Sequence, residues 1–156
     1  MAEGYILSEE EKIEIMKVAV EEVNGRVPVY ASTGLVGTKD TIRLSQKAKE
    51  VGVDVLSIIT PSFAAASQEE LYTHFKTVAE NVDMPIVLYN IPARTGNAIA
   101  PATVGKLSTI DNIIGVKDSS QTGFRQYRIC GSSLRIFYRS IELLLRYLYS
   151  ALAFHQ

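Results

Sequence analysis

"VLYNIPARTG" (residues 87–96) and, after a short gap, "IIGVKDSS" (residues 113–120) decide how the chain is read. Each is a short apolar run that stops abruptly at reactive side chains. Tyr89 and Arg94 close the first, and Lys117 closes the second. Continuous apolar runs of this length, without alternation, are what strands of a parallel sheet covered on both faces require.

The stretches around them have a cadence. "VPVYAS" (27–32) and "VDVLSII" (53–59) are further β-rich runs, so strand starts fall at 27, 53, 85 and 113. Helical patterns fill the intervals. Ser8 with Glu11, and Ser67 with Glu70, stand at capping-box spacing. The first helix carries Ile13, Met16, Val20 and Val23 at helical spacing. Thr38 is placed to cap the next helix, with Thr41, Leu44, Ala48 and Val51 inward and Gly52 just beyond its end. Leu71, Phe75, Val78 and Val82 form the buried stripe of a third helix, and Pro101 suits the first turn of a fourth reaching about Leu107. Phe63 and Tyr72 are expected in the core. A repeated βα unit leaves two architectures open: part of a (β/α)8 barrel, or a small doubly wound sheet.

Composition bounds the rest. The chain has 156 residues, 47% hydrophobic and 21% charged, with a net charge of −1, which offers no case for nucleic acid. A single cysteine, Cys130, excludes an intramolecular disulfide and fits a cytoplasmic setting. The acidic start "MAEGYILSEEEK" does not read as a signal peptide. His74 and His155 stand apart from any cluster of ligating residues, so no metal is expected. "STGLVG" (32–37) lacks the lysine of a phosphate-binding loop, and no cofactor is expected.

The average hides a break. Residues 1–120 hold 8 Lys, 3 Arg and 16 acids, a net of −5, whereas residues 121–156 hold 5 Arg, no Lys and one acid, a net of +4. The expected organisation is a partial barrel over 1–120 and an atypical tail over 121–156, with one helix at 137–154. Its charges and length argue against a membrane span.

Strand ends are where parallel α/β proteins build their sites, because the loops there are free to vary. Period-two alternation puts Tyr89 on the face of Val87, and Lys117 on the face of Gly115 and Ile113. If both faces point inward, a phenol and an amine lie within reach across adjacent strands. A lysine at the mouth of an apolar interior can condense with a ketone to form a Schiff base. Taken singly, each residue has a plainer reading: Lys117 as a solvated loop residue, Tyr89 as a core ring with a wet hydroxyl, Arg94 as a surface charge.

Taken together, "LYNIPARTG" and "IIGVKDSS" resemble the dihydrodipicolinate synthase/N-acetylneuraminate lyase family of Schiff-base pyruvate aldolases. That family writes Y-N-x-P-x-R-T/S-G on its fifth strand and loop, and G-[IV]-K-[DE] on its sixth. Tyr89 and Lys117 lie 28 residues apart, as in the family. "LSEEEK", "PVYASTG", "ITPSF" and "SQEELYTHF" agree in order and type, so these motifs carry the resemblance over residues 3–120.

The resemblance implies an incomplete (β/α)8 TIM barrel whose strands correspond to the third to sixth, and a class I lyase or aldolase acting on pyruvate or a related 2-oxo acid. Lys117 would form the imine, Tyr89 would relay protons, and Arg94 would help bind an acidic substrate or orient the site. Departures accompany the match. The family's G-T-T-G-E-like loop, which grips the keto-acid carboxylate, would precede Glu3 and Gly4. A tyrosine pair after "TP" in dihydrodipicolinate synthases is Ser62 and Phe63 here, and Phe63 cannot pass a proton. The expectation is a shortened chain with a changed frame or fused segment after Ser120, its activity impaired. The alternative is an inactive family fragment serving as an oligomerising interaction module. A homo-oligomer is expected in either case, because open strand edges and the apolar tail (Ile141, Leu144, Leu145, Leu148, Leu152) need cover.

Overall fold

The computed structural model describes Gly4, residues 6–120 and the backbone of residues 135–138. In chain order the elements are α1 (Glu9–Val23), β1 (Tyr30–Ser32), α2 (Thr38–Glu50), β2 (Val55–Ile59), α3 (Gln68–Asn81), β3 (Ile86–Asn90), α4 (Pro92–Thr95), α5 (Pro101–Leu107), β4 (Ile113–Asp118) and β5 (Arg135–Tyr138). Five strands lie side by side in sequence order, and every neighbouring pair is parallel.

That order chooses between the two architectures. A doubly wound sheet reverses its strand order midway, which sends helices to both faces. Here the order never reverses, and right-handed crossovers then keep α2, α3 and α5 on one side. The core agrees: Met16 of α1, Leu44 and Ala48 of α2, Phe75 and Val78 of α3, and Val104 and Leu107 of α5 share one cluster with Leu56, Ile58, Ile86, Leu88 and Val116. Alternate strand residues face the other way. Ile59 and Tyr89 form a separate small cluster there with Ile91. The sheet is a section of a barrel wall, with its helices outside.

Local chemistry explains the helix starts. Ser8 and Glu11 exchange bonds as a capping box, Glu11 N to Ser8 Oγ at 3.1 Å and Ser8 N to the Glu11 carboxylate at 2.7 Å. Ser67 and Glu70 repeat the arrangement on α3. Thr38 does not cap α2. Gly37 is the cap residue, and the Thr41 hydroxyl accepts from Leu35 N and donates to Gly37 O, each at 3.0 Å. Freed from capping, Thr38 bonds the His74 ring. Gly52 follows α2 at φ +91, as its position at a helix end requires. Gly34, just after β1, passes so close to β2 that a Cβ would lie 2.6 Å from Ile59 N, which is why no side chain fits there.

Three further expectations change. Phe63 is not core: it is fully exposed, at φ +81, because the loop leaving β2 turns its side chain off the sheet. Tyr72 is only half-buried at the edge of the core, and so are Ile13, Val20 and Val51. The tail contains a fifth strand at 135–138, paired with β4, so residues 137 and 138 are extended rather than helical. The ladder offered by β4 recruits them. Residues 139–154 of the expected helix lie outside the described residues. Among the described residues no helix is long and apolar enough to cross a membrane, and no group of His, Cys and acidic residues could hold a metal ion.

His74 makes the fold pH-sensitive. It is only 6% exposed on α3, with Nδ1 at 2.9 Å from Thr38 Oγ1 and Nε2 buried without a partner. Burial pushes its pKa down to about 4 from 6.5. The unfolded chain therefore takes up a proton that the folded chain refuses, so this contribution is complete above pH 6.5 and is lost as pH falls towards 4. Denaturant melts at pH 7 and at pH 4.5 are expected to differ by roughly 2–3 kcal/mol from this group. His74→Gln should remove that share of the difference; an unchanged pH dependence would clear His74 of the effect.

Candidate active site

At the C-terminal ends of β2, β3 and β4 the apolar runs give way to polar side chains. Tyr89 and Lys117 are directly paired across β3 and β4. Both point away from the helices, and Lys117 Nζ lies 3.8 Å from the centroid of the Tyr89 ring. Tyr89 is 1% exposed, held in the cluster with Ile59 and Ile91, while Lys117 is half-buried. A cation over a ring face is an attractive arrangement, and it gives the flexible lysine stem a fixed end point.

Simple alternation does not produce this pairing. The ladder matches Ile86 with Ile113 but Val87 with Gly115, so Ile114 is an extra residue on β4. Ile113 and Val116, three apart, both join the helix-side core as a result. Lys117 therefore shares a face with Gly115, as expected, but not with Ile113. An unbulged strand that kept Ile113 on the helix side would have put Lys117 there too.

Arg94 lies on α4, the single helical turn that follows β3, and is exposed. Its backbone N–H bonds Ile91 O at 2.9 Å, which closes the turn. The structure brings Tyr89 and Lys117 into contact and leaves Arg94 at the rim.

Motif reading passed over two polar networks that support these residues. In the first, Thr60 at the end of β2 donates to Thr95 Oγ1 at 2.8 Å, and Asn97 uses its whole carboxamide on the loop after β2. Asn97 Nδ2 donates to Pro61 O at 2.9 Å and Ala64 O at 2.8 Å, and Oδ1 accepts from Ala66 N at 2.8 Å. The loop bearing Ser62 and Phe63 is thus tied to the loop after β3. In the second, Asn90 and Asp118, the last residues of β3 and β4, join on the helix side at 3.0 Å. Their signal was present: a polar residue on the apolar phase of a buried strand needs a buried partner.

Comparison with known proteins agrees with this architecture. The Dihydrodipicolinate synthetase family matches residues 2–138, further than the motifs alone carried the resemblance and through β5. A 4-hydroxy-tetrahydrodipicolinate synthase of Bacillus velezensis is 48% identical over 118 residues, covering 76% of this chain and 41% of that protein. A dihydrodipicolinate synthase structure from Aquifex aeolicus superposes with a TM-score of 0.86 at 35% identity, over 92% of this chain and 50% of that one. One from Acinetobacter baumannii, complexed with pyruvate, superposes at 0.83 and 33% identity, over 87% and 48%. The chain spans about half the length of the proteins it matches.

The loop clamp has a measurable consequence. Asn97→Ala leaves three backbone groups of residues 61–66 without their partner, and is expected to cost about 2–3 kcal/mol in denaturant melts. Exchange of the Ala66 amide should accelerate with it. Unchanged stability and unchanged Ala66 protection would show that the loop holds its shape by other means.

Proposed function

The chain belongs to the Dihydrodipicolinate synthetase family, and from that premise we propose that its site is that of a class I lyase acting on pyruvate or a related 2-oxo acid. The observation that carries the reading is the contact of Lys117 Nζ with the Tyr89 ring at the C-terminal end of adjacent parallel strands. Strands β1 to β4 then correspond to the third to sixth of an eight-stranded barrel.

The chemistry follows from the two side chains. The free amine of Lys117 adds to the C2 carbonyl of the 2-oxo acid to give a carbinolamine. Loss of water, with one proton delivered to the departing hydroxyl, gives the imine. The protonated imine draws electrons from C3, so a carbon–carbon bond at C3 can form or break without a metal or cofactor. Tyr89 is the neighbouring group able to lend and recover the proton. Arg94, at the rim, is suited to an acidic substrate because its guanidinium can grip a carboxylate with two parallel bonds. Ser62 and Phe63 offer no phenol, so the second half-reaction need not be that of the relatives. The five strands among the described residues are fewer than the eight of a closed barrel, and the chain by itself is expected to be less active than the longer relatives.

The open side of the sheet supports a homo-oligomeric assembly. Among the described residues β1 pairs only with β2, and the exposed Tyr30 and Ile15 lie together where α1 meets β1. An uncovered edge with apolar flanks invites another strand.

Borohydride reduction in the presence of pyruvate tests the reading. One reduced pyruvyl group is expected on Lys117 by peptide mass spectrometry, and none in Lys117→Arg, which keeps the charge but cannot form the imine. Tyr89→Phe keeps the ring beneath Nζ and removes only the hydroxyl, so imine formation should slow by roughly 10²–10⁴-fold. Label elsewhere, or an Arg variant that still labels, would sink the assignment. A Tyr89→Phe rate equal to the parent's would remove Tyr89 from the mechanism.

A further inference from the structure

Lys117 meets Tyr89 only while β3 and β4 keep one register, and the backbone alone leaves that register ambiguous. The extra residue Ile114 shows that the pair already tolerates a one-residue offset. Sliding the end of β4 by one more residue would exchange its faces, turning Lys117 towards the helices and Val116 away from them.

The discriminating contact stands one residue beyond the site. Asn90 and Asp118 follow Tyr89 and Lys117 directly, are paired in the ladder, and are 2% and 4% exposed on the helix side. Asn90 Nδ2 donates to Asp118 Oδ1 at 3.0 Å. Asn90 Oδ1 accepts from Ile99 N at 3.1 Å, so the loop that carries Arg94 returns to the same carboxamide. Asp118 also accepts from Ser120 N at 3.0 Å and from the Ser120 hydroxyl at 2.9 Å, which shapes the turn immediately after the strand. A final ladder bond, Ser119 N to Asn90 O at 2.8 Å, closes the same corner. Any slip would pull these buried polar side chains away from each other, where burial keeps solvent from replacing the lost bond. The pair therefore penalises every register but this one.

We propose that Asn90 and Asp118 form a positioning latch that holds the ends of β3 and β4 in the register setting Lys117 over Tyr89. Neither residue touches the reacting atoms. Their importance to catalysis rests on the reading of Lys117 as the nucleophile, but their effect on Lys117 does not.

Competitive acylation of the full chain with trace acetic anhydride tests the latch without any substrate. Reactivity is followed from neutral to strongly alkaline pH for Lys117 and, as an internal reference, the exposed Lys39. Three variants are compared with the parent: Asn90→Asp, which opposes two carboxylates; Asp118→Asn, which removes the charge; and the two together, which restore an amide–carboxylate pair with the roles exchanged. Each single change is expected to move the Lys117 profile onto that of Lys39, by at least roughly threefold in rate at neutral pH, as a fixed side chain becomes free. The exchanged pair should bring the profile back towards the parent's, stopping short of it because Ser120 N loses its Oδ1 acceptor, while Lys39 stays constant throughout.

A folded single variant whose Lys117 profile matches the parent's overturns the proposal. So does an exchanged pair whose profile is no nearer the parent's than that of either single variant. Should a single variant not fold, a folded exchanged pair with a near-parental profile supports the latch, and an unfolded one overturns it. Borohydride labelling of the parent by pyruvate is scored separately. A parent that does not label, but whose Lys117 profile obeys the latch, would defeat the Schiff-base reading and leave the positioning role standing.

Discussion

The pairing of β3 with β4 is the constraint on which the rest of this molecule depends. Val87 faces Gly115, Tyr89 faces Lys117 and Asn90 faces Asp118, and this holds because Ile114 is absorbed as an extra residue near the start of β4. Before the bulge Ile113 feeds the helix-side core; after it Val116 does. One residue of offset thus satisfies the apolar layer twice and still delivers the lysine to the opposite face. Bulges re-aim side chains at functional ends of sheets, and here the re-aimed group is the one amine on that strand.

Around this pair the molecule divides its labour by face. The helix side is apolar up to the last strand residues, where Asn90, Asp118 and Thr60 introduce hydrogen bonds that organise the exits of three strands. The opposite side is apolar at Val87, Tyr89 and Ile59 and becomes charged at Lys117. Asn97 then fixes the loop after β2 to the loop after β3, which places Ser62 and Phe63 on a rigid support instead of a free tip. Phe63 stands on that support in a left-handed conformation, fully exposed. A bulky residue at positive φ is uncommon and needs surroundings that hold it, which the Asn97 clamp provides.

Much of the architecture was legible along the chain. Both capping boxes, the stripe Leu71–Phe75–Val78–Val82, the helix opened by Pro101 and four of the five strands are local signals, written by spacing within a dozen residues. The tail was harder. Its Tyr- and Leu-rich run has the composition of a helix, yet 135–138 are extended because β4 presents an open ladder, and pairing with a distant strand overrides local preference. Phe63 misled for a related reason. Size and apolarity point inward on average, but a loop anchored at both sides sends its middle wherever the anchors allow.

By itself the sequence determined that Tyr89 and Lys117 stand at the ends of strands of a parallel α/β unit, which singled them out as candidates. It did so because motif spacing and apolar phase are properties of the chain. The tertiary structure decided three things that no local pattern contains. It kept α1, α2, α3 and α5 on one face and so chose a barrel wall over a doubly wound sheet. It inserted the bulge at Ile114, which shifts the phase of the last residues of β4. It joined Asn90 to Asp118 across 28 residues of chain. Each is a relation between strands, set by which backbone groups and buried polar atoms find partners once the sheet assembles, and a single strand does not specify its neighbour's register.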